Sequence, residues 1–269
     1  MKKLVAALLI FLISFIVLPV NAEHTVSKNT LYRKTSKYYL IQTEEKDLYG
    51  TGKKQKIQLY ALKRYPEFEF SSSWRLIIDG KEVAVLGNNS DQYSLGEVKF
   101  VNLLGDKTDE VLFYRHSTGS AGAIGLNVYK PIQLKWIEIF SDPNPAIGKM
   151  EERFEVVYVS NFTVLFFDKQ TGLKATVPLY KENYAGIKET ELTKIGTWID
   201  PISEYNFNDI DGDGIKEITA IQTISGIAHA DIIAKLKTQY RYSKKDRKYA
   251  AEYIALYDAK NHLISTVKP

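Results

Sequence analysis

Apolar and polar positions alternate along most of this chain with a period of two. Ile218-Thr-Ala-Ile-Gln-Thr-Ile224 is β-branched and alternating, and Lys235-Leu-Lys-Thr-Gln-Tyr-Arg-Tyr242 alternates strictly. Successive side chains of a strand point to opposite faces, so this rhythm predicts half-buried strands. The same reading applies to Ile57–Leu62, Trp74–Ile78, Leu112–Tyr114, Leu126–Tyr129, Trp136–Phe140, Glu155–Phe167, Ala230–Ala234 and Tyr253–Tyr257. No stretch carries the 3.6-residue rhythm of a long amphipathic helix. The expected fold class is all-β.

One apolar run breaks the rhythm. Leu4–Val20 is apolar except for Ser14, follows Met1-Lys-Lys, and precedes Val20-Asn-Ala22. That order predicts a secretory signal peptide over residues 1–22. The alternative is an uncleaved anchor, for which the run is at the short edge of about 20 residues. Residues 23–39 read as a flexible segment and residues 40–269 as a single β domain. Export is expected to leave the protein secreted or on the cell envelope, with no stable membrane span. The chain has no cysteine, so no disulfide braces it. Loss of Lys2 and Lys3 with the leader lowers the formal net charge from +4 by two. No basic block remains to suggest a nucleic-acid partner.

The polar breaks between strands repeat. Asp209-Ile-Asp-Gly-Asp-Gly-Ile-Lys-Glu-Ile218 is the fullest. Asp47-Leu-Tyr-Gly-Thr-Gly-Lys-Lys-Gln-Lys-Ile57 and Asn102-Leu-Leu-Gly-Asp-Lys-Thr-Asp-Glu-Val111 share its skeleton. The loops begin at 47, 102 and 209, so the second gap is close to twice 54. A further unit is expected near residue 155, where Glu155–Phe167 reads as a strand pair without an acidic loop. A period of about 54 with β content suits a propeller-like array of four or five antiparallel blades. Closure would then bring the strands near Tyr253–Val267 beside the first unit.

The 209–217 loop carries the candidate chemistry. Its four carboxylates repel one another by about 1 kcal/mol per pair at 4 Å in water and by more near a protein surface. A hard divalent cation removes that cost, and an oxygen-only donor set points to Ca2+ rather than zinc. The expected ligands are the side chains of Asp209, Asp211, Asp213 and Glu217 and the carbonyl of Ile215. The EF-hand glutamate position is Ala220 instead, and a strand follows, so the loop is not an EF-hand. The bland alternative is an acidic turn without an ion.

These loops resemble the FG-GAP or VCBS repeats of integrin-α-like β-propellers. Gly196-Thr-Trp-Ile-Asp-Pro-Ile-Ser203, the loop itself and Ser225-Gly-Ile-Ala-His-Ala-Asp231 are similar to secreted VCBS-repeat proteins of spore-forming Gram-positive bacteria, some of them spore-coat-like. The resemblance implies a secreted, propeller-like calcium binder, on the envelope or spore surface, with no catalytic set. Its partner is an unknown protein or cell-surface polymer. Loops one and two depart from the pattern at Tyr49, Thr51, Gln55 and Leu104, so the metal site is expected at 209–217 alone.

The competing reading is an extracellular hydrolase with its site in a propeller channel. Gly119-Ser-Ala-Gly122 is not a nucleophile elbow, and the histidines lack metal-ligand spacing. His229 and Asp231 are two apart and able to share a face. The expectation for His229 is that it orients a loop near the ion. Trp74, Trp136 and Trp198 are expected to be buried strand aromatics, with a sugar-binding face as the alternative.

Overall fold

In the computed structural model, residues 37–269 are described except 88–92, 120–121, 133–134, 142–149 and 197. The leader and most of the 23–39 segment lie outside them, as do Ser120 and Ala121. Among the described residues, alternating runs form sixteen strands in four antiparallel sheets, each a meander whose strands pair in chain order. Sheet one holds β1 (Lys37–Lys46), β2 (Gln55–Lys63), β3 (Trp74–Ile78) and β4 (Lys81–Leu86). Sheet two holds β5 (Leu95–Val101), β6 (Glu110–His116), β7 (Ile124–Ile132) and β8 (Lys135–Ser141). Sheet three holds β9 (Phe154–Ser160), β10 (Thr163–Asp168) and β11 (Lys174–Pro178). Sheet four holds β12 (Glu204–Asn208), β13 (Glu217–Ser225), β14 (Ile232–Ser243), β15 (Lys248–Asp258) and β16 (Leu263–Val267).

The period is visible in the strands. The second strands of the four sheets begin at Gln55, Glu110, Thr163 and Glu217, at intervals of 55, 53 and 54 residues. In sheets one, two and four an eight-residue loop joins the first strand to the second. In sheet three a tight turn does so, with Asn161 and Phe162 both at positive φ (56° and 57°). That turn matches the right-handed twist of a hairpin, and it leaves no room for an acidic loop.

Three hydrophobic clusters join the sheets. Leu59, Trp74 and Leu76 of sheet one pack with Val98, Val111 and Phe113 of sheet two. Leu112, Leu126 and Phe140 on the other face of sheet two pack with Ile218, Ala220 and Tyr240 of sheet four. Phe154, Val164 and Phe166 of sheet three pack with Ile224, Leu236 and Leu256 of sheet four. Alternation explains the double role of β6: Val111 and Phe113 face one cluster and Leu112 faces the other. The clusters therefore connect the sheets in the order one, two, four, three. Closure beside the first unit by the last strands is not what is seen. β16 pairs with β15, and its Ile264 and Val267 pack on the cluster shared with sheet three.

The described residues all belong to one compact unit. Among the described residues, no helix is long and apolar enough to cross a membrane.

Candidate metal centre

The three loops are one local structure built three times. In each, the N–H of the second residue donates to the side chain of the ninth. Leu48 donates to Gln55 Oε1 at 2.7 Å, Leu103 to Glu110 Oε2 at 2.6 Å and Ile210 to Glu217 Oε2 at 2.9 Å. These ninth residues are almost fully buried, at 4%, 0% and 1% exposure. The fourth residue is Gly50, Gly105 or Gly212, with φ of 66°, 68° and 76°, a conformation that favours glycine. The first residue draws in the loop backbone. Asp47 accepts from the N–H groups of Tyr49, Thr51 and Gly52. Asp209 accepts from Gly212 at 2.8 Å and Gly214 at 3.0 Å.

The loops also touch one another. The N–H of Lys216 donates to the carbonyl of Leu103 at 2.7 Å, which ties the third loop to the second. Gly105 lies so close to Gly214 that an added Cβ would sit 2.1 Å from its carbonyl oxygen. Gly50 of the first loop lies against Thr108 of the second, and Lys46 sits 3.7 Å from Asp109.

In the third loop, Asp209, Asp211 and Glu217 bring oxygen atoms within 4.8 Å of one another. Asp213 stands outside that trio. Its Oδ1 accepts from the Ile215 N–H at 2.8 Å, and Ile215 itself is buried. Tyr249 donates to the carbonyl of Lys216 at 2.8 Å and holds the loop's exit. All-oxygen donors at this spacing fit calcium, whose shell takes six to eight oxygens at about 2.3–2.6 Å.

Sequence reading missed the cations. In the second loop the ammonium of Lys130, on β7, reaches Asp106 at 2.9 Å, Thr108 Oγ1 at 2.9 Å and Glu110 more closely still. Burial pushes the Glu110 carboxyl above its usual range, against the pull of Lys130. Asp106 is more exposed, and there Lys130 and Thr108 outweigh burial and hold the carboxyl down. In the third loop Arg241, on β14, bonds Asp211 through Nη2. It lies 3.5 Å from Glu217 through Nε and 3.2 Å from Glu252 through Nη1. Register relates the two cations. Lys130 is one step beyond the Val111–Tyr129 pair and so faces Glu110. Arg241 is one step beyond the Ile218–Tyr240 pair and so faces Glu217. In sheet one the ninth residue, Gln55, is neutral, and its side-chain amide donates to the Lys53 carbonyl of its own loop at 2.8 Å. Hairpin register, had it been assigned, was the signal that pointed to both cations.

His229 does not belong to this site. It follows the far end of β13, whose eight steps from Glu217 to Ser225 span roughly 26 Å at 3.3 Å per residue. Its partner is Asp200, at 3.1 Å from Nδ1, rather than Asp231, which accepts from the Tyr184 hydroxyl at 2.9 Å and from the Ile227 N–H. Ser225 Oγ contacts the Asp200 carboxylate at 3.5 Å and the His229 carbonyl at 3.4 Å, not the imidazole. His116 pairs with Glu97 at 3.0 Å. Of the tryptophans, Trp74 is buried, Trp136 is half-buried and Trp198 is exposed beside His229.

Residues 152–256 match the family model described as the YybI C-terminal domain. A curated relative is the uncharacterized protein YybI of Bacillus subtilis (strain 168), 24% identical over 148 residues. That alignment covers 53% of this chain and 55% of the relative, so the chain spans about half the relative's length. The matched stretch contains the third loop and Arg241 but neither of the first two loops. No solved structure matches.

Proposed function

We propose that this is an exported calcium-binding protein of the cell envelope or spore surface, with a structural or binding role rather than a catalytic one. The observation that carries the reading is the convergence of Asp209, Asp211 and Glu217, whose oxygens lie within 4.8 Å of one another. Asp213 adds a fourth carboxylate, since the bond from Ile215 occupies only one of its oxygens. The Ile215 carbonyl completes the loop's donor set. Export is supported by the Lys-Lys, apolar and Val-Asn-Ala order of residues 1–22. Because a ligand that binds only the folded state stabilises it by mass action, the ion acts here as a clamp on the loop seam between sheets two and four.

A propeller-type repeat is supported by the 54-residue recurrence of the second strands. The order of the clusters favours an open array of repeated sheets over a ring. The partner is a protein or polymer outside the cell. The hydrolase alternative has weaker support, because Ser225 does not address the His229 imidazole. Calcium titration followed by differential scanning calorimetry tests the reading. The melting temperature of the purified chain rises with calcium and falls with a chelator; an unchanged melting curve refutes it.

A further inference from the structure

In the second and third loops a cation of the neighbouring strand faces the buried ninth residue, a glutamate in both. Where the ninth residue is the neutral Gln55, its amide donates to the Lys53 carbonyl of its own loop. Where it is Glu110, Lys130 stands opposite, and where it is Glu217, Arg241 does. The second loop shows a cation held by this geometry. The Lys130 ammonium is gathered by Asp106, Thr108 and Glu110. It is nearly buried, at 7% exposure. In the third loop the guanidinium of Arg241 bonds Asp211 and approaches Glu217, two of the three carboxylates that converge there. The third, Asp209, turns its oxygens to Gly212 and Gly214.

We infer that the third-strand cation is a built-in substitute for the metal: Lys130 fills the second loop permanently, and Arg241 fills the third until a divalent cation displaces it. This rests on the calcium reading above. The difference between the loops follows from burial. Lys130 is itself enclosed, so its departure would leave the buried Glu110 with no counter-charge. Arg241 is 41% exposed at its side chain and already reaches Glu252 on β15. It can leave Asp211 and Glu217 and keep that partner. The apparent affinity of a site is reduced by the fraction of time it is competent. If Arg241 occupies the position about nine times in ten, calcium binds about tenfold more weakly than to the bare loop.

Isothermal titration of the purified chain with calcium chloride tests this, alongside NMR of the Arg241 Nε–Hε resonance, assigned through its side-chain correlations to the Arg241 backbone in the wild type. Three results are expected: one calcium per chain, an Arg241 resonance that shifts with the same midpoint, and about tenfold tighter binding by Arg241→Gln. Binding by the wild type with an unmoved resonance, or with no gain in the variant, overturns the displacement and leaves the calcium reading standing. Binding by the variant but not the wild type supports Arg241 as the occupant and overturns the calcium reading for the natural chain. No binding by either overturns both. The wild-type resonance decides the matter even where the variant fails to fold.

Discussion

Asp168 shows what a buried carboxylate demands of its neighbours. It is fully buried in sheet three and takes Arg153 at 3.0 and 2.7 Å through both carboxylate oxygens. Burial raises its carboxyl, but Arg153, Thr171 and the Gln170 N–H outweigh burial and hold it below its ordinary value. A lowered folded pKa contributes stability above the unfolded value of about 3.9. That stability is lost as pH falls through the lower folded value. Arg153→Met leaves the charge buried and unpaired, at a cost of about 3–5 kcal/mol. Urea denaturation at pH 7 should show that loss, and the acid-side fall in stability below pH about 4 should shrink in the variant. Asp47 offers a contrast. Its carboxylate accepts from three N–H groups of an exposed loop, and Asp47→Ala should lower stability only modestly, as read by urea denaturation. It should leave any calcium response unchanged, because Tyr49 and Thr51 supply no carboxylate.

At the scale of the elements, each loop with its flanking hairpin is a unit in which charge is matched across strands. Lys130→Met should destabilise the chain by about 3–5 kcal/mol, since Glu110 is then an unpaired buried charge. Adding Glu110→Gln should recover most of that loss, because it recreates the neutral, buried Gln55 of the first loop, which accepts from the Leu48 N–H. Urea denaturation of the single and double variants reads both effects, and a double variant no better than the single one would refute charge matching. Gly105→Ala tests the seam between loops. The position has a φ of 68° and faces the Gly214 carbonyl, so positive φ alone costs about 1–2 kcal/mol and the collision adds to it. The strands, the loops and their period were legible in the sequence, because alternation and the Asp/Gly skeleton are local signals. Lys130 and Arg241 were not. They stand 20 and 24 residues from the glutamates they face, and only hairpin register brings them there.

For the whole molecule, the 54-residue recurrence holds through all four sheets, including the third, which lacks a loop. The packing order one, two, four, three was not readable from that recurrence. It depends on which faces of β6, β13 and β14 meet across long chain separations, and a period says nothing about that. The same limit explains His229. Its closeness in sequence to the acidic loop suggested closeness in space, but β13 carries it to the opposite end of sheet four. The three loops, by contrast, gather at one end, joined by the Lys216–Leu103 bond and the contacts of Gly50 and Gly105. An ion there would brace sheets two and four together. The most direct test of that claim is calorimetric melting of the wild type and Asp211→Ala with and without calcium. A rise in the wild-type melting temperature that is mostly lost in Asp211→Ala is the predicted result. Identical calcium responses in the two proteins would reduce the 209–217 loop to an acidic turn closed by Arg241, and would contradict the account.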